Sequence, residues 1–125
     1  MICVGTLSYP QGMAGTKRLQ HVIDGIKAHP DVSVRVVILR QTSKDNVLSG
    51  IFRGIPYETV MGDLLRVRLI ALFPVFNIKA MLLFRRHFDP SAKNVIYHYG
   101  PPNEINSLIL KYARRIGYKI IFDIV

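Results

Sequence analysis

Two stretches of the chain combine residue types and spacing that can do chemistry. In the first, the apolar residues 2–9 stop at Pro10, and Gly12, Ala14 and Gly15 lead into Thr16, Lys17 and Arg18, where a helical pattern begins. The first amides of a helix lack intrahelical acceptors and carry partial positive charge, so such a turn can cradle a phosphate or carboxylate. Thr16 is expected to cap the helix, with Lys17 and Arg18 adding charge beside the free amides. The loop lacks both the G-x-G-x-x-G dinucleotide spacing and the lysine-serine/threonine ending of a P-loop. Glycines here can equally do no more than relax a strand-to-helix turn.

The second stretch is Tyr97-His98-Tyr99-Gly100-Pro101-Pro102-Asn103-Glu104. Side chains alternate along a strand, so Tyr97 and Tyr99 share one face and His98 takes the other. His98, Tyr99, Asn103 and Glu104 are expected near the same crevice as the glycine loop, where a histidine can act as a base or a hydrogen-bond donor. The competing reading is a histidine satisfied by backbone in the core. His21, His29 and His87 have no metal-ligand spacing with one another or with Cys3, so no metal site is expected. Cys3 is the single cysteine, which excludes an intrachain disulfide and reads as a buried thiol.

A third region, residues 64–88, interleaves large apolar side chains with Arg66, Arg68, Lys79, Arg85 and Arg86. Such a surface can lie at a membrane interface, cations meeting anionic headgroups, or it can be a core helix with a solvated basic rim. Its cations, Pro74 and Asn77 interrupt it too often for a membrane-spanning helix, which needs about 20 mostly apolar residues.

These stretches must be positioned by regular elements. Residues 2–9 read as a strand, and Leu19, Val22, Ile23 and Ile26 give the following helix one buried face, ending near His29 before Pro30. Residues 32–39 become continuously apolar, as in a parallel strand covered on both faces. Residues 55–60 read as a short strand at a sheet edge, because Pro56 lacks a ladder donor. Residues 63–88 read as helix in two pieces divided at Pro74. Residues 94–99 form a strand, Ile105 to Ile116 a helix ended by Gly117, and residues 118–125 a buried strand. The order implies an α/β fold with right-handed βαβ units and a mostly parallel sheet. In such a sheet the ligand crevice lies beyond the strand C-termini, so the chain is expected to continue past Val125.

With 125 residues, half of them apolar, the chain is expected to form one domain, 1–125. Lysine and arginine outnumber acids by 17 to 8, a net charge of +9, which favours anionic partners. No secretory signal fits the N-terminus.

The run Tyr9-Pro10, Ala14-Gly15 and Arg18 resembles the opening loop of the retaining GT-B glycosyltransferases of family 4, also called group 1. Residues 96–101, the helix after them and residues 119–125 are also similar to the N-terminal half of those enzymes. The resemblance covers essentially the whole chain and implies a three-layer Rossmann-like domain. It further implies transfer of a sugar from a nucleotide diphosphate donor to an acceptor, such as a lipid-linked or cell-surface polysaccharide. Gly12, Ala14, Gly15 and Arg18 would contact the donor diphosphate, Asn103 and Glu104 would lie on the acceptor side, and His98 and Tyr99 are the candidates nearest the family's catalytic histidine. Most of the donor site would belong to a C-terminal domain outside these residues, leaving this part inactive alone. No metal or other cofactor is implied, and the expected location is cytoplasmic, peripheral at the inner face of the plasma membrane. Rival readings are a non-enzymatic basic module binding nucleotide or nucleic acid, and a flavodoxin-like signalling domain, for which the acidic cluster is lacking.

Overall fold

The computed structural model describes residues 2–6, 9–10, 12, 14–40, 48–61, 73–100 and 104–123, with residues 2–6, 40, 61, 73–76 and 104–105 described through their backbone. Among these described residues nine elements follow one another: β1 (Ile2–Thr6), α1 (Ala14–Lys27), β2 (Arg35–Arg40), β3 (Ser49–Phe52), β4 (Ile55–Met61), α2 (Phe73–His87), β5 (Val95–Tyr99), α3 (Glu104–Ile116) and β6 (Lys119–Asp123). The strands form one mixed sheet in the order β3-β4-β2-β1-β5-β6. Five of them run parallel, and β3 is antiparallel to β4.

The apolar run of β2 explains the burial of both sheet faces. Val36 and Ile38 join Leu19 and Ile23 of α1, with Val34, Ile55 and Tyr57, in one cluster. Val37 and Leu39, pointing the other way, join Ala80, Leu83 and Phe84 of α2 and Ile109, Leu110 and Ala113 of α3. All four β2 residues are at most 1% exposed. Burying each such side chain stabilises the fold by about 1.5–3 kcal/mol, so β2 alone contributes substantially to both cores. Among the described residues, no helix is long and apolar enough to cross a membrane.

Several expectations are corrected. Thr16 does not cap α1. The helix starts at Ala14, and Thr16 is buried in its first turn. β4 is not an edge strand, because β3 pairs along its outer side. The hairpin between them turns through Arg53 and Gly54, both at positive φ (52° and 79°), as a two-residue type I′ turn requires. Pro56 is tolerated because it precedes Tyr57, the first β4 residue paired with β2, and follows the hydrogen-bonded pair that closes the hairpin.

Pro74 does not divide a helix among the described residues. It lies in the first turn of α2, where its missing N–H has no intrahelical partner to lose; residues 63–72 of the expected helix lie outside the description. Strand β6 is not buried on both faces: among the described residues it lies at the other end of the strand order, and Ile121 is 52% exposed. β3 is a strand that the sequence pattern does not announce, and the remaining elements match it: Gly117 ends α3, and Asp89 turns the chain after α2 by accepting hydrogen bonds from the Ser91 amide and hydroxyl at 2.9 and 2.6 Å.

Candidate functional site

From β1 the chain proceeds through β2 to β4 on one side, then returns to β5 and β6 on the other. Ligands of open α/β sheets bind beyond the strand C-termini at such a reversal. The start of α1 lies at that end, because α1 follows the central parallel strand β1. Gln20 Nε2 donates to the Pro10 carbonyl at 2.8 Å, tying the incoming loop to the helix. Gly12 and Ala14 are exposed there.

Gly15 has a packing reason to be glycine. A Cβ at this position would lie 2.7 Å from the Tyr99 hydroxyl and 3.2 Å from its ring carbon Cζ. The phenol at the end of β5 thus rests directly on the first turn of α1. One turn on, Arg18 pairs side-on with Asp123 at the end of β6: Nε donates to Oδ2 at 2.9 Å and Nη2 to Oδ1 at 2.8 Å. The Tyr97 hydroxyl donates to the same Oδ2 at 2.5 Å. Asp123 is 9% exposed, while the Arg18 side chain is half exposed. These hydrogen bonds, Arg18 first and Tyr97 second, hold the Asp123 carboxyl below the usual carboxylate range. Reciprocally, Asp123 pushes the Arg18 guanidinium further toward its charged form.

Gly15, Arg18, Tyr97, Tyr99 and Asp123 therefore gather on the α1 side of β5 and β6. The sequence reading missed Asp123 and the role of Tyr97. Asp123 carried a signal, being the only charged residue within the apolar residues 120–125. Tyr97 shares a strand face with Tyr99 by simple alternation, but its partner across the sheet depends on register.

His98 is not brought to this group. Its ring is 2% exposed on the opposite face, edge-on to Phe122 with centroids 5.5 Å apart. Nδ1 lies 3.0 Å from the Gly100 carbonyl, which can only accept, so Nδ1 carries the proton; Asn106 Nδ2 donates to Nε2 at 3.2 Å. Burial lowers the His98 pKa, with the Gly100 hydrogen bond opposing. Both nitrogens are spent on the protein, and burial favours the neutral ring. Asn103 lies outside the described residues, and Glu104 is described only as the first residue of α3.

The basic region is separate. Arg66 and Arg68 lie outside the described residues. Lys79, Arg85 and Arg86 are exposed on α2, near the exposed apolar side chains Ile78 and Leu82. Arg86 gives Nη2 to both Glu58 oxygens, at 3.2 and 3.0 Å, and His87 also meets Glu58 at 2.9 Å. A cleft of about 580 Å³ between α2 and β4 is lined by Val60, Lys79, Leu82 and Arg85 among others. No group of three or more metal-ligating side chains occurs among the described residues.

No protein-family model, curated protein or solved structure matches the chain.

Two measurements test the packing of this end of the sheet. Gly15→Ala should destabilise the chain by about 1–3 kcal/mol in denaturant unfolding, the cost of overpacking a tight contact, and adding Tyr99→Phe should recover part of it. Additive effects would contradict the contact. For His98, the unfolded chain protonates near 6.5 and the folded one lower. The unfolded state then binds more protons, so this contribution to stability is complete above pH 6.5 and lost as pH falls toward the folded pKa. An NMR titration should find the His98 ring still neutral below pH 6.5; protonation at or above that value would contradict the buried, doubly bonded ring.

Proposed function

We propose that the chain is the N-terminal, acceptor-side domain of a retaining glycosyltransferase of GT-B type, with a three-layer Rossmann-like fold. Such an enzyme moves a sugar from a nucleotide diphosphate donor to an acceptor such as a lipid-linked or cell-surface polysaccharide. The observation that carries this reading is the placement of Gly15 and Arg18, at the start of the helix after the central strand, beside the C-terminal ends of β5 and β6. The strand order supports it, since β4-β2-β1-β5-β6 is the doubly wound order in which the first crossover turn meets a phosphate-bearing ligand.

The chemistry expected of these residues is electrostatic. As the bond from sugar to diphosphate breaks, negative charge grows on the leaving phosphate. Amides at the start of α1 and the Arg18 guanidinium are fixed donors for that charge. Gly12 and Ala14, exposed at the turn, let backbone approach the diphosphate closely. Tyr99 is the aromatic wall of the crevice, and Asn103 and Glu104 are assigned to the acceptor. The nucleotide would be held chiefly by a second domain following this one, so this part would not turn over by itself.

The exposed pair Ile78 and Leu82, 57% and 59% exposed, with Lys79 and Arg85 beside them supports peripheral attachment to the anionic inner face of the plasma membrane. Each cation near such a surface contributes about 1 kcal/mol, screened by salt.

The decisive experiment incubates the complete gene product with a panel of nucleotide diphosphate sugars and follows release of nucleoside diphosphate. Turnover with at least one donor, lowered at least about tenfold by Arg18→Ala, is expected, the loss of one charge-assisted contact in the transition state. Inactivity with every donor, together with salt-sensitive RNA binding, would replace the reading with a nucleic-acid module. For the membrane, sedimentation with anionic vesicles should exceed that with neutral ones and fall for Lys79→Glu with Arg85→Glu; equal partitioning removes the attachment.

A further inference from the structure

The Arg18 guanidinium is tied to one carboxylate, and among the described residues that pairing takes up only one of its edges. Of five N–H donors on a guanidinium, one from Nε and one from Nη2 go to Asp123, which leaves three. The side chain is half exposed and one of its edges is fixed. Asp123 is fixed in turn, because the Tyr97 hydroxyl holds Oδ2 from β5 while the carboxylate is carried by β6. Two neighbouring strands and one helix therefore determine the plane of a single guanidinium.

The geometry points to Asp123 and Tyr97 as positioning residues for Arg18, a brace that turns its free edge toward a diphosphate at the crevice mouth. This rests on the glycosyltransferase reading for the identity of the ligand, the diphosphate of the donor. The brace explains why a binding arginine is paired at all. An unbraced arginine loses rotamer entropy when an anion fixes it, whereas this one has already lost most of that freedom on folding. The pairing neutralises one charge, so the gain is in orientation and in hydrogen bonds rather than in net attraction. A carboxylate that only competed with the anion for Arg18 would have the opposite effect, because its removal would liberate the guanidinium.

That difference in sign makes the inference testable with inorganic pyrophosphate as the probe, on the full chain, by NMR titration following the Arg18 side-chain N–H signals. The unmodified chain should bind pyrophosphate weakly and shift those signals. Arg18→Lys, which keeps the charge and loses the planar fork, should weaken binding at least about tenfold. Tyr97→Phe, which changes no charge and removes only the hydroxyl that fixes Asp123, should weaken it about threefold, in the range of one lost hydrogen bond. Asp123→Asn should also weaken it, although the substitution removes a negative charge beside the anion. Tyr97→Phe is the variant least able to disturb folding, and its effect together with that of Asp123→Asn separates a brace from a bystander.

No pyrophosphate binding by the unmodified chain would overturn the inference. So would unchanged affinity in Tyr97→Phe, or tighter binding in Asp123→Asn, whatever the enzyme does with nucleotide sugars. If the affinity pattern holds and the complete gene product turns over no nucleotide sugar, the brace stands and the glycosyltransferase reading falls.

Discussion

The double-sided burial of β2 is the constraint on which the rest of the architecture depends. A strand whose Val36, Val37, Ile38 and Leu39 are all almost inaccessible needs apolar cover on both faces and backbone partners along both edges. β1 and β4 supply the partners, α1 covers one face, and α2 and α3 cover the other. Putting α1 on one face and the later helices on the other follows from right-handed crossovers running first one way and then the other from β1. The crevice end of the sheet is a by-product of that arrangement, since it is where the first helix must begin.

At that end the protein uses two kinds of contact. One is steric: Gly15 lets the Tyr99 phenol sit on the α1 backbone and sets how far the helix slides along the sheet. The other is charge-assisted: Arg18, Asp123 and Tyr97 join α1, β6 and β5 through three hydrogen bonds of 2.5–2.9 Å. Neither involves His98, whose two nitrogens are satisfied on the far side of β5. Alternation along a single strand separates a tyrosine pair facing the crevice from a histidine facing the core.

Much of this was legible in the sequence, and the failures have physical causes. The strands flanking the α1 and α3 patterns, the face split of residues 97–99 and the stop at Gly117 followed from periodicity and turn residues. β3 was missed because its hairpin turn uses Arg53 with Gly54, where an asparagine or aspartate would have announced the turn. Pro56 reads as an edge marker because nothing local reveals that pairing begins one residue later. Pro74 reads as a helix breaker, although in a first turn it is an acceptable starter. Asp123 was passed over as part of a buried strand. Its two partners lie on other elements, and only the register of β5 against β6 and the reach of α1 bring them together.

The Arg18–Asp123 pair also spans 105 residues of sequence, nearly the whole chain. The entropy of closing a loop grows only logarithmically, about 0.6 kcal/mol per doubling, so the cost in stability of so distant a contact is modest. The consequence is one of timing. During synthesis α1 emerges early with its arginine unpaired, and α2, β5 and α3 must follow before β6 can present the carboxylate. Long-range pairing of parallel strands is the slow part of assembling such a sheet. The arginine's fixed orientation therefore cannot precede the docking of β6 on β5, and it exists only in chains where that pairing has formed.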